Sequence, residues 1–290
     1  MFAQQLVNGL MLGSVYALIG IGYTLVFGVL RMLNLAHAYL FMAGPFITFG
    51  LVGAGVAPAF ALCLGMLGSA LLGALLYAVA FRPIPREHAL GGFVASLSFG
   101  IVVQVIVVNW QGSLNKPFPK LVALPDLTLG PVILSGMQLG SLAVSAVLMV
   151  ALLYLVRSTR FGRNIRAIAQ NPTAASLLGV GVPSAVLLVF MLSSGLAGLA
   201  GLMVAMRFES IGAYMGDTYA IKALAVIIIG GLGDMRGAVL AGLLLGVCEV
   251  LFQAYGGPGW SEAFVWLLLI AVFLFKPEGI FGVGIKTREI

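Results

Sequence analysis

The sequence predicts an all-α protein that crosses a bilayer repeatedly, with about eight or nine transmembrane helices. Three observations point there. Mean hydropathy is +1.14 over 290 residues, with 61% hydrophobic and only 8% charged residues, far more apolar surface than one soluble core of this length buries. The apolar residues come in successive runs near the roughly 20 residues that a spanning helix needs. The runs are continuous, without the short alternating segments of a transmembrane barrel.

Marking the runs and their breaks gives nine spans, at about 6–29, 38–56, 58–81, 90–109, 132–156, 185–206, 219–232, 237–255 and 262–275. The first follows MFAQQ, which carries no Lys or Arg. It is too long for a signal-peptide core, so it is expected to remain in the mature protein. The seventh run has 14 residues and the ninth is similar, so either is expected to borrow its flanks, tilt, or sit half-buried among neighbouring helices.

Threading these spans through a membrane collects Arg31, Arg82, Arg86, Arg157, Arg160, Arg163, Arg166, Arg236, Lys276, Lys286 and Arg288 on one side. Lys116, Lys120 and Arg207 fall on the other, and Lys222 lies within a span. The positive-inside bias then sets the N-terminus outside and the C-terminus in the cytoplasm. The Pro-rich stretch 110–131 is outside. Residues 1–290 form a single transmembrane domain whose longest cytoplasmic loop is about 157–184. The net charge of +6 is scattered over short loops, which reads as a topology signal and not as a nucleic-acid surface. Cys63 and Cys248 lie in separate apolar runs and suggest packing residues, neither a disulfide framework nor a metal site.

That loop contains RFGRNIRAIAQNPTAASLLGVGVP at 160–183. Asn171 followed by Pro172 fits an N-cap with proline at the first helical position, and Gly179 fits a C-cap. Between them Ala174, Leu177 and Leu178 fall at helical spacing. The segment is either a docking element or an ordinary basic connector.

Within the spans, Glu249 is costly in lipid unless paired or facing water. Counted from the turn at Asp234 and Met235, Lys222 lies 12 residues back and Glu249 about 15 forward. At 1.5 Å per residue their depths differ by a few ångströms, so an ion pair across the hairpin is expected, near the translocation path or purely structural. Asn34 and His37 stand i, i+3 at a membrane boundary; they could bind solute or satisfy a helix end. Asn34, His37, Lys222 and Glu249 are therefore the candidates for the path or its gate. Glycines at G-x-x-x-G spacing, Gly9 with Gly13, Gly233 with Gly237 and Gly242 with Gly246, together with Gly195, Gly198 and Gly201, predict close helix packing. There is no phosphate-binding loop, no Ser-His-Asp set and no metal-ligand cluster, so a non-catalytic protein without a cofactor is expected, and any ATP hydrolysis must occur on another chain.

Several stretches carry a resemblance: NGLMLGSVYALIGIGYTLVFGVLRMLNLAH at 8–37, FRPIP at 81–85, RAIAQNPTAASLLGV at 166–180, KALAVIIIGGLGDMRGAVLAGLLLG at 222–246 and KPEGIFG at 276–282. From end to end the chain resembles the branched-chain amino acid permeases of ATP-binding-cassette importers, of the smaller type that pairs with a second, homologous permease. Thr173, Ala174, Ala175 and Gly179 also reproduce the spacing of the E-A-A-x-x-x-G loop that such permeases insert into their ATPase, with Thr in place of Glu. The resemblance implies a multi-pass protein of the bacterial inner membrane. Its implied partners are ATPase subunits, a second permease, a periplasmic solute-binding protein and membrane lipid, with no nucleic acid. It implies coupling through Arg163, Arg166, Ala174, Ala175, Leu178 and Gly179, and a branched-chain amino acid as solute, with urea or short amides as the alternative. An ion-coupled transporter or a channel is the other function class. The family usually follows its N-F-A-H with Gly and an acidic residue; here Asn34 to His37 are followed by Ala38 and Tyr39.

Overall fold

The structure is a computed structural model that describes residues 2–84, 89–122, 124–129, 132–276 and 279–281. Arg86, Lys286 and Arg288 of the orientation count lie outside the described residues. So do Pro85, Pro277, Glu278 and Gly282 of the matched motifs, and Ala123, Gly130 and Pro131 of the outer loop.

A helix occupies every one of the nine apolar runs. They are α1 (Phe2–Leu30), α2 (Ala36–Gly53), α3 (Pro58–Leu76, running into a π turn at Tyr77–Phe81), α4 (Ala89–Gln111) and α5 (Gly136–Ser158). Two short helices, α6 (Arg160–Gln170) and α7 (Pro172–Leu177), fill the long loop. Then come α8 (Val182–Phe208), α9 (Met215–Gly230), α10 (Met235–Tyr255) and α11 (Ser261–Phe275). Among the described residues, seven helices are long and apolar enough to cross a membrane. The two that fall short are α9, with 16 residues, and α11, with 15.

The first helix is apolar on every side, which suits a helix with protein all round it. Its most apolar stretch is 89% buried, against 17% for α5, so α1 is the axis of the bundle and α5 lies on its outside. α10, α8, α5 and α9 surround it. Burying apolar surface gains little over lipid inside a bilayer, so the contact must come from close packing of small residues. Gly9 and Gly13 of α1 meet Gly242 and Gly246 of α10: a Cβ on Gly246 would stand 2.2 Å from the Gly13 nitrogen. Gly44 of α2 and Gly198 of α8 make a second seam, where a Cβ on Gly44 would stand 2.7 Å from the Gly198 Cα.

At the end of the bundle holding the α4–α5 connection, strand β1 (Lys116–Pro117) pairs antiparallel with a second short strand at Ser210–Ile211, and Leu127–Leu129 pairs with Val132–Leu134. Lys120 meets Glu209 at 2.8 Å with both side chains more than half exposed; solvent screens such a pair, so it adds little to stability. At the opposite end the chain after α11 returns to α9. Ile280 N–H donates to Ile229 O at 2.7 Å and Phe281 N–H to Gly230 O at 3.1 Å, satisfying the free carbonyls at the end of that helix.

Candidate translocation and coupling site

Three helices meet around Glu249, which is 2% exposed. Lys222 of α9 donates to its Oε1 at 2.5 Å, Tyr16 of α1 donates to its Oε2 at 2.8 Å, and Gln253 of α10 donates to Oε1 at 3.4 Å. Lys222 also donates to the Tyr16 hydroxyl at 3.0 Å, closing a triangle. Its ammonium lies 5.5 Å from the Tyr16 ring centre and 5.8 Å from that of Tyr219, within cation–π range. The carboxylate thus has three donors and a counter-charge, the conditions under which a buried ion pair is tolerated. Lys222 also borders a groove between α9 and α11, lined by Asp217, Thr218 and Trp266 among others. One turn towards the start of α9, Gln104 of α4 donates to Asp217 at 2.9 Å and to Ala213 O at 3.2 Å. Tyr39 of α2 lies against the same carboxylate.

His37 occupies a different layer. It is fully buried in the first turn of α2, 4.4 Å ring to ring from Tyr23. Ser193 of α8 donates to Gly22 O at 2.8 Å and stands 3.2 Å from His37 Nδ1. With its single hydroxyl proton on that carbonyl, Ser193 can only accept from the imidazole. Asn34 is 2% exposed, and neither of its amide atoms has a hydrogen-bond partner among the described residues. Tyr16 and Tyr23 are seven residues apart on α1, about 10 Å along the axis. The four candidates therefore fall into two groups, Lys222 with Glu249 and Asn34 with His37.

The long loop is built from caps. Thr159 accepts from Gly162 N–H at 3.2 Å to start α6, and Asn171 accepts from Ala174 N–H at 3.0 Å to start α7, with Pro172 first in the helix. Gly179 ends α7 at φ +81°. Its N–H donates to Ser176 O and Val180 N–H to Ala175 O, both at 3.0 Å, the paired bonds of a Schellman motif. This geometry turns Leu177 and Leu178 outward, 84% and 83% exposed. Ala174 and Arg163 are also exposed. Ala175 is 1% exposed and packed into the chain's own core, so it anchors α7 from within. Arg166, exposed on α6, donates to Val156 O and, at 3.4 Å, to Arg157 O, capping α5 within the same chain.

The sequence profile described as "Branched-chain amino acid transport system / permease component" matches residues 5–273. The chain belongs to that family. Within it, the chain is 32% identical to the high-affinity branched-chain amino acid transport system permease protein LivH of Salmonella typhimurium, over 97% of this chain and 96% of that one. It is equally similar to BraD of Pseudomonas aeruginosa, at 32% identity and the same coverage. The xylose transport system permease protein XylH of Haemophilus influenzae is 29% identical over 56% of this chain and 46% of its own. Among solved structures, the one described as PsaBC from Streptococcus pneumoniae in complex with Fab shares the fold, with a TM-score of 0.51, 13% identity, and coverage of 96% of this chain and 93% of that one.

The partners of this permease's buried groups are not legible in its sequence. Tyr16, Tyr219 and Gln253 lie in or beside apolar runs, and only the fold brings them to Glu249 and Lys222. The helix α6 was missed although its signal is present: Phe161, Ile165 and Ile168 fall on one face and Arg160, Arg163 and Arg166 on the other.

Proposed function

We propose that this permease is the membrane subunit of an ATP-driven importer carrying branched-chain amino acids, with its N-terminus outside and its C-terminus in the cytoplasm of a bacterial inner membrane. It forms the path together with a second permease, receives solute from a periplasmic binding protein, and takes its driving force from ATPase subunits seated on α7.

The observation that carries this reading is the pair Leu177 and Leu178. Two large apolar side chains more than four-fifths exposed, on a helix capped at both ends and rooted by Ala175, are a rigid projection suited to an apolar groove. Ala174 and Gly179 leave the approach beside them unobstructed, and Arg163 supplies a cation for an acidic rim. Movement of α7 would reach the bundle through α6, whose Ile165 and Ile168 are packed in the core, and through α8, which begins five residues after Leu177. The Tyr16, Lys222 and Glu249 triangle ties α1, α9 and α10 into one unit beside the path, and His37 with Tyr23, Ser193 and Gly22 does the same for α1, α2 and α8.

The reading is tested by reconstituting the chain with its co-encoded permease, ATPases and binding protein in liposomes, and measuring uptake of labelled leucine, isoleucine, valine and urea. It predicts uptake of the amino acids that stops without ATP or without the ATPases. Uptake driven by an ion gradient alone would replace it with an ion-coupled transporter, and urea uptake without amino-acid uptake would replace the solute.

A further inference from the structure

Three arginines from three separate elements border one cavity of about 280 Å³ beside the ends of α1 and α5: Arg157 closing α5, Arg166 on α6 and Arg236 opening α10. None of the three forms an ion pair among the described residues, where the salt bridges are Lys120 with Glu209 and Lys222 with Glu249. The acid in the lining is Asp234. Its Oδ1 already accepts from Arg236 N–H at 2.7 Å and Gly237 N–H at 3.1 Å as the cap of α10. The lining thus carries three positive charges against one negative charge. Arg166 is held in place by its bonds to the last carbonyls of α5, so little side-chain entropy remains to be lost when an anion arrives.

The rest of the wall is mostly apolar, with Leu153 and Val156 from α5, Ile165 from α6 and the buried Leu25 and Val29 of α1 behind them, beside the hydroxyl-bearing Thr24. Leu153 lies five residues before the end of α5, about 7 Å along the axis. A cavity with guanidiniums at its mouth and aliphatic side chains one to two turns deeper follows the polarity of the bilayer boundary. Beside it α6 turns Ile165 and Ile168 inward and Arg160 and Arg163 outward, the arrangement of a helix lying at an interface.

We infer that this cavity binds the headgroup phosphate of an anionic phospholipid, whose glycerol and first methylenes run along Leu153 and Val156. Bound there, the lipid joins α5, α6 and α10 at the root of the segment that leads to α7. A soluble anion would use the arginines but not the apolar wall. An acidic protein segment would likewise leave that wall uncovered.

The test is native mass spectrometry of the permease purified with its natural partner subunits, titrated with phosphatidylglycerol or phosphatidylcholine, with and without excess inorganic phosphate. The wild type is expected to retain phosphatidylglycerol over phosphatidylcholine. Arg157→Gln combined with Arg236→Gln should lower that retention about tenfold or more, at about 1 kcal/mol per interfacial arginine. Asp234→Asn keeps the cap of α10 and removes the opposing charge, so it should raise retention. Inorganic phosphate should not displace the lipid. Equal retention of the two lipids overturns the inference, as does full retention by the double variant or displacement by inorganic phosphate. Loss of the ATPase subunits from the double variant with lipid retention unchanged would assign the arginines to a protein partner instead. Should the double variant fail to fold, unchanged retention in Asp234→Asn alone refutes the site.

Discussion

The hydroxyl of Tyr16 lies between the two charges of the membrane interior, accepting from Lys222 at 3.0 Å and donating to Glu249 at 2.8 Å. Glu249→Gln would leave a buried ammonium without its counter-ion, and removing one partner of a buried pair costs about 3–5 kcal/mol. The expected result is a lower melting temperature and reduced accumulation in the membrane. Lys222→Met combined with Glu249→Leu should recover much of that loss, because no unpaired charge remains. Tyr16→Phe should cost less, about 1–3 kcal/mol for donors and acceptors left unmet. Thermal unfolding of the purified variants checks all three; a double variant no more stable than the worse single one would show that the pair is not a self-contained unit.

The seam between α1 and α10 has no room for side-chain atoms. Gly246→Val would force the helices apart where a Cβ already stands 2.2 Å from Gly13 N, and since α1 is the axis the whole bundle should suffer. We expect loss of folded protein, seen as aggregation on size-exclusion chromatography. Gly259→Ala, where nothing lies within 4 Å of the added atom, should be silent.

His37 separates a structural role from a solute-binding one. Packed between Tyr23 and Ser193 with no exposed surface, it should act through stability: His37→Ala should lower the melting temperature by several degrees, about 2–4 kcal/mol for a buried ring removed. Ser193→Ala should give a smaller drop. Half-saturation for solute, measured on the protein that remains folded, should be unchanged. A changed half-saturation with normal stability would place His37 in the path.

Gly179 is held at φ +81° with open space around it, so only the backbone resists a side chain there. Gly179→Asn should be tolerated, because Asn adopts the left-handed region readily, whereas Gly179→Val should cost about 1–2 kcal/mol locally. The consequence is fraying of α7 and weakened transport without loss of membrane assembly, checked by comparing uptake with detergent-stable yield for the two variants.

Most of the architecture was legible because a bilayer imposes its own punctuation. Every apolar run holds a helix, and the short ones at α9 and α11 were marked as short from the spacing of breaks alone. The caps of α7 were legible for a local reason: Asn171, Pro172 and Gly179 act on backbone groups within a few residues. The ion pair was reachable because one turn at Asp234 fixes the depths of Lys222 and Glu249. What sequence could not supply were contacts between helices distant in the chain. Tyr16 reaches Glu249 across 233 positions, and Ser193 reaches His37 across 156. The inward face of Ala175 and the inward reach of Arg166 were hidden for the same reason, since helical periodicity names a face without saying what lies against it.

The central claim is that Leu178 transmits the work of a separate ATPase. It is tested most directly by placing a photo-crosslinking amino acid at position 178 in the reconstituted transporter and, in parallel, measuring uptake by Leu178→Asp. The account predicts crosslinks to the ATPase subunit, and in Leu178→Asp a normally folded membrane complex whose ATP-driven uptake falls at least about tenfold, the effect of roughly 1.4 kcal/mol lost from the docking contact. Wild-type uptake by Leu178→Asp, with no crosslink from position 178 to the ATPase, would contradict it.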